Sequence, residues 1–129
     1  MESNDNKKMP NKIRVDSDEL TSVRTGAYIG EDMEYEGKPF TGFEIYGYHE
    51  NGQIAGEFEY VNGERMGWNI EYYENGNVER ESLDYGATTV YFNKFDIDGN
   101  KILGGFVAGK ELLYKVCAIT GEDPNNVKE

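Results

Sequence analysis

The sequence predicts an all-β fold: an elongated antiparallel meander of repeated β-hairpins, closed by a short C-terminal capping helix. Three observations carry that expectation. The triplet Glu50-Asn51-Gly52 returns as Glu74-Asn75-Gly76, 24 residues on, each time behind aromatic residues. Asn-Gly in such a setting is the strongest short-range hairpin signal, because a type I′ turn needs positive φ at both central residues. Between the turns, apolar and polar residues alternate with period two, the period of a strand. Past Gly104-Gly105 the spacing becomes helical.

Residues 1–12 are rich in Asn, Lys and Asp and include Pro10. So polar a stretch cannot offset its ordering entropy, and a disordered tail is expected. Ile13 to Val23 mixes apolar residues with Asp16, Asp18 and Glu19, and fits either a short helical turn capped by Ser17 or an incoming strand. From Ala27 alternation sets in, with Met33 and Tyr35 flanking Glu34 ahead of a turn at Glu36-Gly37-Lys38-Pro39. Phe40, Phe43 and Ile45 lead to the first Glu-Asn-Gly turn. Gly47 reads as a bulge, since Gly42 to Gly52 spans ten positions where Gly67 to Gly76 spans nine. Glu57-Phe58-Glu59-Tyr60-Val61 returns to a second turn type at Asn62-Gly63. The next unit places Trp68, Ile70 and Tyr72 on one face and Asn69, Glu71 and Tyr73 on the other.

A weaker third copy runs from Val90 to Ile97, turns at Asp98-Gly99-Asn100, 23 residues after the second, and returns through Lys101-Ile102-Leu103. Glu111, Leu112, Leu113, Tyr114, Val116 and Cys117 then recur with helical spacing until Gly121 and Pro124. The expected organisation is a tail at 1–12, a repeat domain at 13–107, a helix at 108–120 and a second tail at 121–129. A constant period of roughly 20 to 50 residues marks an array whose units bury their faces by stacking on one another.

At 129 residues the chain is long enough for one domain with a usable core. Its formal net charge is −12, and residues 31–84 hold 14 acidic side chains against Lys38, Arg65 and Arg80. That field repels phosphate backbones and anionic lipid, so neither nucleic acid nor a membrane is an expected partner, whereas a basic protein would be steered in. The same charge also keeps an edge-rich β protein soluble. Cys117 is the single cysteine, which precludes an intrachain disulfide and fits a reducing, cytoplasmic setting as small apolar filler. Met1 to Asn11 contains no apolar run, so neither a signal peptide nor a membrane span is expected there.

On these residues the chain resembles the bacterial MORN-variant repeat proteins. Their repeat carries a Tyr-Tyr-Glu-Asn-Gly turn followed by Tyr-x-Asn-Gly-Lys-x-x-Gly. Tyr72-Tyr73-Glu74-Asn75-Gly76 matches the first fully, and Tyr48-His49-Glu50-Asn51-Gly52 departs only at His49. Tyr60-Val61-Asn62-Gly63-Glu64-Arg65-Met66-Gly67 departs from the second only at Glu64, and Tyr35 to Gly42 looks like a shortened first copy. The resemblance covers residues 28–104 and implies a MORN-like β-hairpin repeat with an antitoxin-like or immunity-like role: binding and blocking a toxic enzyme without catalysis. It transfers no binding residues, because the matching positions are those of the fold.

Several patterns imitate chemistry. Gly104 to Lys110 has the spacing of a phosphate-binding loop, but Glu111 stands where a hydroxyl is needed for Mg²⁺. Asp96, Asp98 and Asn100 imitate the start of a calcium loop, which then fails at Lys101 and Val107; a hairpin turn fits better. His49 is the one histidine and occupies the turn position of Tyr73, so it reads as a repeat substitution rather than a catalytic base. The pairs Glu57 with Glu59 and Glu79 with Glu81 would suit acid-base chemistry only if buried, and alternation is taken to place them on a solvent face. No cofactor, metal or catalytic residue is therefore expected.

Partner binding is assigned instead to the Tyr and Glu of the repeats: Tyr46, Tyr48, Glu50, Glu57, Glu59, Glu71, Tyr73, Glu74, Glu79 and Glu81. Tyr contributes large contact area for two side-chain torsions, although cross-strand Tyr packing on a single-layer sheet would use the same residues. The expected function is a protein-binding module, an antitoxin or immunity protein occluding a basic toxin. The alternative is a scaffold that self-associates through exposed hairpin edges.

Overall fold

Aromatic and β-branched strand residues joined by glycine-bearing turns fold the chain into an all-β protein with one C-terminal helix. The structure, a computed structural model, describes residues 8–23 and 32–128. The onset of alternation at Ala27 and residues 1–7 of the expected tail lie outside them. Among the described residues there are ten strands: β1 (Arg14–Asp16), β2 (Leu20–Val23), β3 (Asp32–Tyr35), β4 (Lys38–Pro39), β5 (Gly42–Tyr48), β6 (Ile54–Val61), β7 (Glu64–Tyr72), β8 (Val78–Tyr85), β9 (Thr88–Phe95) and β10 (Lys101–Phe106). Helix α1 (Lys110–Thr120) follows, ended by Gly121 in the left-handed conformation at φ 86° with its N–H on Cys117 O. Over residues 13–23 the chain uses both options that its sequence permits, a 3₁₀ turn at Ser17–Glu19 between β1 and β2. Ser17 does not cap that turn; its hydroxyl donates to Glu44 Oε2 at 2.6 Å.

The main sheet has the order β1-β5-β6-β7-β8-β9-β10. From β5 to β10 it is an antiparallel meander, and β1 joins β5 in parallel. The expected bulge at Gly47 is there, as shifts of the β5–β6 register on either side of it. A smaller sheet has the order β2-β3-β4.

The turns divide differently from the sequence expectation. Positive φ at both central residues, the type I′ pattern, occurs at Glu36-Gly37 (52° and 82°) and at Asn62-Gly63 (51° and 88°). In the Glu-Asn-Gly copies only the glycine is left-handed, at 90° for Gly52 and 92° for Gly76. His49 N donates to Gln53 O at 2.8 Å and Gly52 N to His49 O at 2.9 Å, which is a three-residue loop with a glycine bulge. The asparagine serves another purpose. Asn51 Oδ1 accepts from Gln53 N at 3.0 Å while its Nδ2 donates to Glu74 O at 2.8 Å. Asn75 repeats this, accepting from Asn77 N at 3.0 Å and donating to Ile97 O at 2.9 Å. Each turn is thereby stapled to the next.

The sheet is not one layer thick. Helix α1 packs on β7, β8 and β9, and Leu113, Val116 and Cys117 join Phe43, Trp68, Ile70, Leu83 and Tyr91 in the main core. The smaller sheet packs on the opposite face, where Leu20, Met33 and Tyr35 meet Val15, Phe40 and Tyr60. Both expected tails contribute too. Met9 packs against the main core, Val127 is 3% exposed, and Glu122 Oε1 accepts from Trp68 Nε1 at 2.9 Å. Composition undervalued these segments because they bury area on a surface that the sheet supplies, not within themselves.

Candidate protein-binding surface

Cross-strand register decides where each repeat carboxylate points. Ile45 pairs with Glu57, Glu57 with Ile70, Ile70 with Glu81, and Glu81 with Asn93, so these side chains form one row on the face that carries the main core. The expectation of a solvent face for Glu57, Glu59 and Glu81 is thus overturned: they are 0%, 1% and 7% exposed. Glu79 is exposed as expected. In β6 the acids, and not Phe58 and Tyr60, face the same side as Ile70.

Buried carboxylates persist only when paired and hydrogen-bonded. Arg14 Nε donates to Glu57 Oε1 at 3.1 Å, and Tyr72 OH to Glu57 Oε2 at 2.7 Å. Lys12 Nζ bonds Glu59, whose other oxygen accepts from Trp68 N at 3.0 Å. Lys8 Nζ lies 3.6 Å from Glu81 Oε1, and Asn93 Nδ2 donates to Glu81 Oε2 at 3.0 Å. Room for Glu59 depends on Gly67: at φ 110° it adopts a conformation that L side chains rarely take, and an added Cβ would run into the Glu59 carboxylate. Burial raises the Glu59 pKa above the ordinary carboxylate value despite Lys12. Tyr72 is likewise raised, first by burial and then by the Glu57 charge.

The opposite face is covered at one end by the smaller sheet; toward the Glu-Asn-Gly turns lie the remaining candidates. Tyr46, 37% exposed, stacks on Phe58 with ring centroids 4.4 Å apart, and Arg65 sits 3.8 Å over the Phe58 ring. Glu71 pairs in register with Arg80, and Arg80 with Lys94, while Arg80 lies 5.6 Å over Phe92. Glu50, Glu71, Glu74 and Glu79 are exposed. Tyr73, half-buried, donates to Phe95 O at 2.7 Å. Tyr48 is 51% exposed, but its hydroxyl is bonded to Asp16, which pushes its pKa up to about 12. The structure therefore brings Tyr46, Glu71 and Glu79 together, sets Glu50 and Glu74 in the turns at the rim, and removes Glu57, Glu59 and Glu81.

Sequence reasoning does not single out Arg65, Arg80, Phe58 or Phe92, because a cation lying over a ring of the neighbouring strand leaves no mark in the alternation of either strand. It also missed Lys8, Lys12 and Arg14. Their signal was present: three cations within seven residues of an otherwise acidic chain.

The imitations of chemistry resolve locally. Asp96 Oδ1 accepts from Asp98 N and Asn100 N at 3.0 and 2.9 Å, and these turn bonds lower its pKa. His49 Nε2 contacts Tyr72 O at 2.8 Å as part of the turn ladder. Cys117 is buried, and burial raises its thiol pKa to about 11. Asp16, Asp18 and Glu19 bring carboxylate oxygens within 4.8 Å of one another at the surface, with Asp16 already bonded to Tyr48. No helix among the described residues is long and apolar enough to cross a membrane. No family model, curated protein or solved structure matches the chain.

Proposed function

We propose that this protein is a non-enzymatic protein-binding module of the antitoxin or immunity type, in keeping with its MORN-variant resemblance, acting in the cytoplasm on a basic protein partner. The observation that carries this reading is the open patch of the main sheet, where Tyr46 stacks on Phe58 under Arg65 beside Glu71 and Glu79. Tyr and Arg are the residue types enriched at binding hot spots, and here each is braced by a ring before any partner arrives. Glu71 and Glu79 beside them would set on-rate and selectivity. The core carboxylates have a different task, since each is held by a cation of the same chain.

The test is binding to the purified product of the adjacent gene. Tyr46→Ala should speed dissociation roughly 30-fold, as for a hot-spot anchor worth about 2 kcal/mol. Absence of binding by the unaltered protein would end this reading.

A second reading, self-association through β10, is favoured by its outer edge, where Ile102 is 59%, Leu103 49% and Phe106 40% exposed. Against it, the register of β10 shifts between Lys101 and Leu103, and Gly104 and Gly105 have φ of 154° and 141°, so the edge is bent. Sedimentation over a concentration series separates the two: a blocker stays monomeric and a scaffold does not.

A further inference from the structure

The carboxylates of the covered face come from β6 and β8, inside the sheet, whereas all three cations come from residues 8–14. Between Lys8 and Lys12 that segment contributes no strand or helix. It is organised instead around its own arginine. The Arg14 guanidinium donates to Lys8 O, Met9 O at 3.0 Å and Lys12 O at 3.2 Å, and Lys12 N donates to Met9 O at 3.0 Å. These bonds travel with the segment. Besides Met9 in the main core, Lys12 Nζ on Thr120 O at 2.8 Å and the β1–β5 ladder, where Phe43 N donates to Ile13 O at 2.9 Å, the segment is attached by charge on carboxylate and charge on ring: Lys8 with Glu81 and 4.5 Å over Trp68, Lys12 with Glu59, and Arg14 with Glu57 and 4.0 Å over Phe43. The cations keep partial access to water, at 30%, 18% and 12% side-chain exposure, whereas Glu57 and Glu59 have none.

From this we infer that the cluster of Glu57, Glu59 and Glu81 is a recognition groove for a Lys- and Arg-bearing loop, with residues 8–14 as its intramolecular occupant, which a basic segment of a protein partner can replace. Vacating the groove outright would strand buried carboxylates. A competitor that brings its own cations avoids that penalty, so the exchange is one basic loop for another. The groove thus selects for cation spacing, and it is protected from weak competitors by the high effective concentration of its tethered occupant. The inference does not depend on the open-face reading, since it concerns the opposite face of the sheet and a different set of carboxylates.

The probe is a fluorescein-labelled synthetic peptide with the sequence of residues 5–16, added to full-length protein and to the full-length double variant Lys8→Gln, Lys12→Gln. Anisotropy reads binding, and emission of Trp68, the one tryptophan, reads arrival of Lys8 at its ring. The double variant should bind at least about tenfold more tightly than the unaltered chain, with affinity falling as salt rises. A peptide with Gln at positions 8, 12 and 14 should not bind. If the folded double variant gains no affinity over the unaltered chain, the groove is a structural ion-pair cluster and the inference is overturned. Should the double variant be unfolded, recovery of its near-ultraviolet circular dichroism on adding the peptide supports the inference, and no recovery at saturating peptide overturns it. Loss of partner binding by Tyr46→Ala with the peptide result intact would separate this groove from the open face.

Discussion

The two faces of the main sheet are written in the same alternation of acids and aromatics, yet they treat charge in opposite ways. Beneath α1 and the N-terminal segment, Glu57, Glu59 and Glu81 are buried and each is met by a cation. On the other side, Glu71 and Glu79 stay in water while Arg65 and Arg80 lie over rings. A carboxylate in this fold is a core element or a surface element according to what the termini cover, and not according to its neighbours in sequence.

Substitution on each face should break that contrast most visibly. Glu57→Ala takes the acceptor from Arg14 Nε and from the Tyr72 hydroxyl, leaves the Arg14 charge without its carboxylate, and should cost about 3–5 kcal/mol in chemical denaturation. Glu79→Ala on the exposed side should change stability by no more than about 0.5 kcal/mol. Equal losses at the two positions would mean that the faces do not differ as described.

Acidity should sharpen the contrast by a smaller amount. Glu59 and Asp84 both have pKa values raised first by burial. Groups raised in the folded state bind protons more readily there than when unfolded. Their stabilisation is therefore complete below the ordinary carboxylate pKa and is lost as pH rises through the raised values. Cooling of the charge toward the pI of about 4.5 acts in the same direction, so Glu59→Gln is the necessary control. The Tm of the unaltered protein should rise by about 2 °C or more between about pH 7 and about pH 5, and Glu59→Gln should show a smaller rise. Asp96, whose pKa is lowered by turn hydrogen bonds, opposes this only at lower pH, where its contribution is lost as it becomes protonated.

The smallest effect on stability is expected from Glu71→Lys with Glu79→Lys, within about 0.5 kcal/mol. The same pair should slow association with a basic partner about tenfold at low salt and much less at high salt. A stability loss without a change in association rate would move both residues out of the interface.

Much of this architecture was legible locally. The period of 24 and 23 residues, the bulge at Gly47 and the helix ended by Gly121 all follow from turn glycines and side-chain spacing, which act over a few residues. Asn-Gly alone does not select type I′ geometry, because the dipeptide permits several turns. Asn62-Gly63 closes a two-residue hairpin, whereas Asn51 and Asn75 are recruited as staples to the following turn. A staple is a contact between repeats, and a dipeptide carries no record of it.

By itself the sequence determined the strands, their alternation and the acidic excess, since these depend on pleat geometry and composition. Only the tertiary structure decided that Glu57, Glu59 and Glu81 lie inside. That choice rests on Lys8, Lys12 and Arg14 reaching across 73, 47 and 43 positions to Glu81, Glu59 and Glu57. A period of two is unchanged when the sheet is turned over, so the inside is settled by the segments that come to cover it.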